Sequence, residues 1–255
     1  MLHTSFIELN KDALNNNIQF IKERIGPDTR YSMVVKANAY GHGIEQLLPA
    51  IEECGVTHFS VFSVAEAIRV HEAKHEDCEV MIMGWVDHDY LEWAINKEVS
   101  FFVFTPERLK ATLQQAKKME KQAHIHLELE TGMHRTGFCD GQLPEVFDLL
   151  ANNKKYLQLE GLCTHYAGAE DFTNYDRVEN QIKTFDRLYK LFEKNQLSPT
   201  YKHSACSAAL FNFPETTGDL ARIGISSYGY WPNNETKMRY KMKYDIEGDP
   251  LERIL

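Results

Sequence analysis

The sequence has no apolar run long enough to span a bilayer, and Met1-Leu2-His3-Thr4-Ser5 has no basic segment leading into an apolar one. No two cysteines form a Cys-x-x-Cys pair. The five present, Cys54, Cys78, Cys139, Cys163 and Cys206, are an odd number, so neither a disulfide framework nor a zinc knuckle is expected. A surplus of basic charge is also missing. The 28 Lys and Arg stand against 37 Asp and Glu, a net charge of -9 that speaks against a nucleic-acid or anionic-membrane partner. There is no low-complexity linker and no repeat of fixed period. The expectation is a cytoplasmic protein with no nucleic acid and no membrane among its partners.

What remains is ordinary globular material. The 255 residues are 43% hydrophobic and 25% charged, enough for one large α/β barrel or two small domains. Leu14, Ile18, Ile21 and Ile25 form the stripe of an amphipathic helix, with Asn10 as its cap. Short apolar runs predict strands near 31–36, 58–62, 80–83, 100–104, 123–129, 157–163, 200–203 and 220–223. Helical patterns lie between them. One opens at Pro106 and carries Leu109, Leu113 and Ala116; the clearest spans 175–194, with Val178, Ile182, Phe185, Tyr189 and Phe192 on one face.

Eight strands, each followed by a helix or helical turn, predict an α/β fold, a (β/α)₈ TIM-like barrel; an open doubly wound sheet is the alternative. An extra strand about 5–9 does not fit the count. Composition turns polar after Trp231, in Asn233-Asn234-Glu235-Thr236-Lys237. The expected division is therefore a barrel over 1–232 and a connector over 233–255 that begins a further, truncated β-domain.

In such barrels functional side chains sit at the C-terminal strand ends and the loops after them. Lys36 falls at such an end, after Met33-Val34-Val35. Most lysines are solvated, but an amine that attacks an aldehyde or takes a proton must be partly neutral, and an apolar approach to the barrel mouth suits both tasks. His71-Glu72-Ala73-Lys74-His75 matches the His-Glu-x-x-His zinc pattern. It lies at a polar helix end with no companion ligand, and is read as a solvated face; no metal is expected. Asp87-His88-Asp89 is read as a helix start.

The segment Val34-Val35-Lys36-Ala37-Asn38-Ala39-Tyr40-Gly41-His42-Gly43 resembles the cofactor-lysine motif of the alanine racemases, barrel-type pyridoxal-phosphate enzymes. Four further segments match in order: 130–138 around Arg135, Thr164-His165-Tyr166-Ala167, Ala205-Cys206-Ser207-Ala208-Ala209, and Arg222-Ile223-Gly224-Ile225. The resemblance runs from about residue 4 to 232. It implies an isomerase that interconverts L- and D-alanine for peptidoglycan, with pyridoxal 5'-phosphate as cofactor and a homodimer as the full-length form. Lys36 would carry the cofactor as a Schiff base and act as the base on one face. Tyr40, Ser207 and the backbone of Gly224 and Ile225 would hold the phosphate. Arg135 would meet the phenolic oxygen and the substrate carboxylate, and His165 would lie beside the ring. Arg222 would hydrogen-bond the ring nitrogen; because arginine only donates, that nitrogen stays unprotonated, which favours racemisation over side reactions.

Two positions depart from the pattern. Glu128 stands where many members carry a lysine, often carbamylated, and is expected to present its charge directly to Arg135. Cys206 stands where Asn is common, which puts its contact to the cofactor in doubt. Members also continue into a β-rich C-terminal domain that supplies a second-base tyrosine to the partner subunit. Nothing in this chain matches it, and Tyr240 and Tyr244 are poor substitutes. The chain is therefore expected to be incomplete for full racemisation. Two other readings stand beside this one: a non-catalytic pyridoxal-phosphate-binding protein of cofactor homeostasis, and a racemase for serine or a broader amino-acid set.

Overall fold

The computed structural model describes residues 7–75 and 77–255. Eight strands occupy Arg30–Val34 (β1), His58–Val61 (β2), Glu79–Ile82 (β3), Ser100–Val103 (β4), Ala123–Glu128 (β5), Leu157–Cys163 (β6), Tyr201–His203 (β7) and Leu220–Ile223 (β8). They pair in parallel in the order β7-β6-β5-β4-β3-β2-β1-β8. The remaining seam between β7 and β8 is drawn together by Asp219 N–H to Lys202 C=O (2.9 Å) and Arg222 N–H to Ala205 C=O (3.0 Å). The sheet thus closes on itself, and the open-sheet alternative falls.

Helices form where the apolar spacing demands them. Lys11–Ile25 buries Leu14, Ile18, Ile21 and Ile25, and Asn10 caps it by accepting from Ala13 N–H at 3.0 Å. Pro106–Met119 starts with proline in its first turn, where no amide donor is needed, under a Thr105 cap. Ser63 and Glu66 make a reciprocal capping box at the head of Val64–Ala73. Tyr175–Lys194 buries Val178, Phe185 and Phe192 as expected, with Gln181 among them.

Strand alternation sorts side chains into two cores. Met33, Phe59, Val61, Phe101, Ile125, Leu127 and Ile223 face outward into the large cluster under the helices. The residues between them fill the barrel, and that interior is unusually polar: Ser32, His58, Ser60, His126, His203 and Arg222 are all buried, beside a small apolar group of Met81, Phe102, Cys163 and Leu220.

Only the extra strand needs correction; the expected connector takes a helical form. Of the extra strand at 5–9, residues 5 and 6 lie outside the described residues, and 7–10 carry no strand. The polar run at 233 opens a helix, Asn234–Tyr244, because Asn233 caps Thr236 N–H at 2.8 Å; no strand follows in 245–255. That terminal stretch docks on the first helix instead. Asn17 brackets Glu252 through both backbone groups, at 2.7 and 2.8 Å, and Ile254 is fully buried.

Candidate active site

Lys36 stands just beyond β1, at the barrel mouth, half-buried. The four residues after it, Ala37, Asn38, Ala39 and Tyr40, all have φ between 51° and 56°. They form one left-handed helical turn, a conformation that costs L-residues roughly 1–2 kcal/mol each. Named contacts hold it. Glu66 accepts from Ala37 N–H at 2.6 Å, and Asn38 Oδ1 accepts from Arg69 (2.6 Å) and Ile44 N–H (3.2 Å). The turn swings Tyr40 back over the mouth, against the ring of buried Tyr228 (centroids 4.9 Å apart), whose hydroxyl donates to Val34 C=O at 3.0 Å. Burial, with nearby Cys206, pushes the Tyr40 phenol up to about 12, so it stays a hydrogen-bond donor.

Across the mouth, the loops after β7 and β8 meet. Ser207 is buried and its Oγ accepts from Gly224 N–H (3.2 Å) and Ser226 N–H (3.4 Å). A side chain on Gly224 would collide with the Tyr40 hydroxyl, so only glycine lets these two loops and Tyr40 converge. Sequence reasoning paired Gly224 with Ile225 here. Gly224 and Ile225 both line the cavity, and the Ser226 N–H also points to Ser207.

Together they enclose a cavity of about 310 Å³, within the range of small-molecule sites. Lys36, Tyr40, His165, Cys206, Ser207, Arg222, Gly224 and Ile225 line it, each named beforehand from sequence; Val34, Met83, Glu170, Ala208 and Pro232 complete the wall. A larger cavity of about 620 Å³ lies at the opposite end, among strand starts such as Glu79, Ser100 and His124. Size favours that one, but chemistry in barrels of this kind sits at the C-terminal mouth, where the smaller cavity gathers an amine, a phenol and a guanidinium.

Arg222 is 5% exposed, and both terminal nitrogens of its fork are engaged inside the barrel. One terminal nitrogen donates to the His203 ring and to His203 C=O (3.2 Å), the other to Thr164 C=O (2.9 Å). His165 is held down to about 3 by burial first, then by the charges of Arg222, Arg135 and Lys36. It is neutral at any ordinary pH, with no proton to give as imidazolium.

Arg135 and Glu128 do not line the cavity. Arg135 rides on the 130–137 loop with its side chain 55% exposed, while Glu128 is buried at the end of β5. Their closest approach is 3.9 Å, and the tighter partner of Glu128 is Thr136 Oγ1 at 2.6 Å. Gln181 was not found from sequence. Buried mid-helix, it donates to Thr131 Oγ1 (3.3 Å) and His165 C=O (3.0 Å) and accepts from Ala167 N–H (2.9 Å), tying the loops after β5 and β6 together. A glutamine on an apolar helical face was the available signal.

The zinc-like pattern does not survive as geometry, because the helix ends at Ala73. His75 lies beyond it and pairs with Glu52 at 2.9 Å, so the two histidines do not share a helical face. Tyr240 packs among Phe20, Phe211 and Trp231, and neither it nor Tyr244 lines the cavity.

Fold and site define a (β/α)₈ barrel with a lysine-bearing small-molecule cavity at its C-terminal mouth. The profile of the alanine racemase N-terminal domain matches residues 9–232, and the chain belongs to that family. Among curated relatives it is 33% identical over 231 residues to the alanine racemase of Desulforamulus reducens, covering 89% of this chain and 61% of that one. It is 29% identical over 234 residues to alanine racemase 1 of Oceanobacillus iheyensis, with 91% and 61% covered. Among solved structures, the Bacillus anthracis alanine racemase with bound L-Ala-P superposes with a TM-score of 0.87 at 26% identity, covering 100% of this chain and 63% of that one. The Clostridium difficile 630 enzyme in complex with cycloserine gives 0.84 at 26%, covering 96% and 64%. The chain thus spans about three fifths of the length of the relatives it matches. Among the described residues no helix is long and apolar enough to cross a membrane.

Proposed function

We propose that this chain is the cofactor-binding barrel of a pyridoxal-phosphate-dependent racemase that interconverts L- and D-alanine and supplies D-alanine for peptidoglycan, working in the cytoplasm as a homodimer in its full-length form. One observation carries the reading. Four separated segments deliver Lys36, Tyr40, His165, Ser207, Arg222 and Gly224 to a single mouth cavity. The fit to a phosphorylated pyridine aldehyde is supported by the donor set: a serine hydroxyl, a phenol and the Gly224 cradle at one side, an amine and a guanidinium at the other.

Pyridoxal phosphate, when bound, supplies an electron-withdrawing ring that acidifies the α-hydrogen of an attached amino acid. The protein's own groups then divide the work. Lys36 anchors the cofactor, and its amine takes and returns the α-proton on its own face. Tyr40 and Ser207 hold the phosphate end. Arg222, always charged and only a donor, would meet the ring nitrogen and keep a proton off it. Arg135 meets the substrate carboxylate at the loop edge, with Glu128 behind it. Lys36 is the one lysine that lines the cavity among the described residues, and it serves one face.

Solvent exchange tests this directly. With pyridoxal phosphate in D₂O, the chain should wash deuterium into the α-position of one alanine enantiomer much faster than the other. Robust turnover of both enantiomers would contradict the one-face assignment. Exchange of serine as fast as alanine would widen the substrate. Cofactor binding without any exchange would replace the racemase reading with that of a cofactor carrier.

A further inference from the structure

Barrel interiors are normally filled by branched apolar side chains, yet this one carries a line of imidazoles behind Arg222. His203 accepts from Arg222 at Nδ1, and its Nε2 lies 2.9 Å from His126 Nδ1. Both histidines are fully buried. Chemistry fixes the direction of every link. Arginine only donates, so His203 must accept at Nδ1 and carry its proton on Nε2. His126 must then accept at Nδ1 and carry its own proton on Nε2.

That last N–H has no hydrogen-bond partner among the described residues. The donor is orphaned, and the Glu160 carboxylate is the charge that most favours protonation of His126. Glu160 is largely buried, 3.2 Å from His124 at the base of the barrel.

The backbone is shaped around this line. The β5–β6 register shifts between Ile125 and His126, and His126 comes to lie opposite Gly161. A Cβ on Gly161 would collide with His126 Nδ1 and with His203 Nε2. Phe102 walls the other side, its ring 6.0 Å from His126, 5.9 Å from His203 and 5.8 Å from the Arg222 guanidinium carbon. Burial and the charge of Arg222 hold His203 neutral. Burial, opposed by Glu160 and aided by Arg222 and His124, brings His126 down to about 4.

We propose that His126 and His203 form a one-way hydrogen-bond relay from Arg222 to Glu160, for which Gly161 makes room, and that His126 is a positioning residue that fixes the aim of the Arg222 guanidinium. Its bearing on catalysis rests on the racemase reading; the relay itself does not. An unpaired buried donor or acceptor is costly, so each member constrains the next. Arg222 is thereby held from behind while its remaining surface faces the mouth cavity.

Long-range ¹⁵N–¹H NMR of the protein without cofactor reads the tautomers. Both His126 and His203 should be neutral and protonated on Nε2 at pH 7. In His126→Leu, His203 should lose its fixed tautomer, and α-deuterium exchange with alanine should fall about tenfold, the scale of lost outer-shell support. In His126→Asn, Oδ1 replaces the Nδ1 acceptor and should restore both. Glu160→Gln, at the more accessible end, should shift the His126 Nε2–H resonance and covers the case of a leucine variant that does not fold. A proton on Nδ1 of either histidine, or an unmoved resonance in Glu160→Gln, would overturn the relay. Undiminished exchange in His126→Leu would overturn the positioning role. If the wild-type chain shows the tautomers but no exchange, the racemase reading fails while the relay stands.

Discussion

Gly224 and Glu128 make opposite kinds of contribution, one by having no side chain and one by having a charge. Alanine at Gly224 puts a methyl against the Tyr40 hydroxyl in a wall that is already closed. The loops must part or Tyr40 must move, and the phosphate end of the cavity loses its shape. Gly224→Ala should weaken pyridoxal-phosphate binding about tenfold, or ~1.4 kcal/mol; titration of cofactor absorbance measures it, and unchanged affinity would show that the cradle tolerates the methyl. Glu128→Gln should act more gently. Arg135 is more than half exposed and 3.9 Å away, so solvent screening cuts the interaction well below that of a buried pair. The Thr136 hydroxyl can still donate to the amide oxygen. The expected loss is about two- to fivefold in alanine affinity, consistent with an exposed pair worth under ~1 kcal/mol. A variant with full affinity and exchange would mean that Glu128 does not hold Arg135.

At the scale of elements, the left-handed turn after Lys36 is the feature that sequence patterns least reveal. The strands were legible because each is a short apolar run between polar breaks, and every boundary fell within about two residues of expectation. The helices were legible from their stripes and caps. A left-handed turn made of Ala, Asn, Ala and Tyr has no such signature; only Asn favours that region. It exists because Glu66 and Arg69, one and two turns along a neighbouring helix, supply its partners. The histidine line was illegible for a related reason. His58, His126 and His203, on three different strands, show no spacing rule, and only barrel closure brings two of them into contact. By contrast, the mouth cavity was legible through its motif residues, since the (β/α)₈ rule places strand ends and following loops at one face. Strain in the turn gives a test. Ala37→Gly relieves a left-handed alanine, roughly 1–2 kcal/mol, against ~0.5–1 kcal/mol of extra backbone entropy. Its thermal midpoint should equal or exceed that of the parent, whereas Ala67→Gly, inside a right-handed helix, should lower it. A clear drop in the Ala37 variant would mean the turn is not strained.

For the whole molecule, the polar barrel interior sets a pH dependence. His58, His126 and His203 are fully buried, and all three are held below their ordinary value near 6.5, His126 to about 4. The unfolded chain therefore binds more protons than the native one below pH 6.5. Stability must fall as pH drops from about 6.5 toward 4, by on the order of 1 kcal/mol per pH unit for each histidine. His124 runs the other way: its pairing with Glu160 raises it, adding stability at low pH that is lost as pH rises. Three buried groups outweigh one that is a third exposed. Guanidinium unfolding at pH 5 should therefore give a lower midpoint than at pH 7; an equal or higher midpoint would mean that the interior imidazoles are charged or solvated.

The same polar interior ends at Lys36, on which the functional account depends. Incubation with pyridoxal phosphate, borohydride reduction and peptide mapping test it most directly. The account predicts a single labelled peptide with the pyridoxyl group on Lys36, and no label in Lys36→Ala. A label on another lysine, or unchanged labelling of the Lys36→Ala protein, would contradict it.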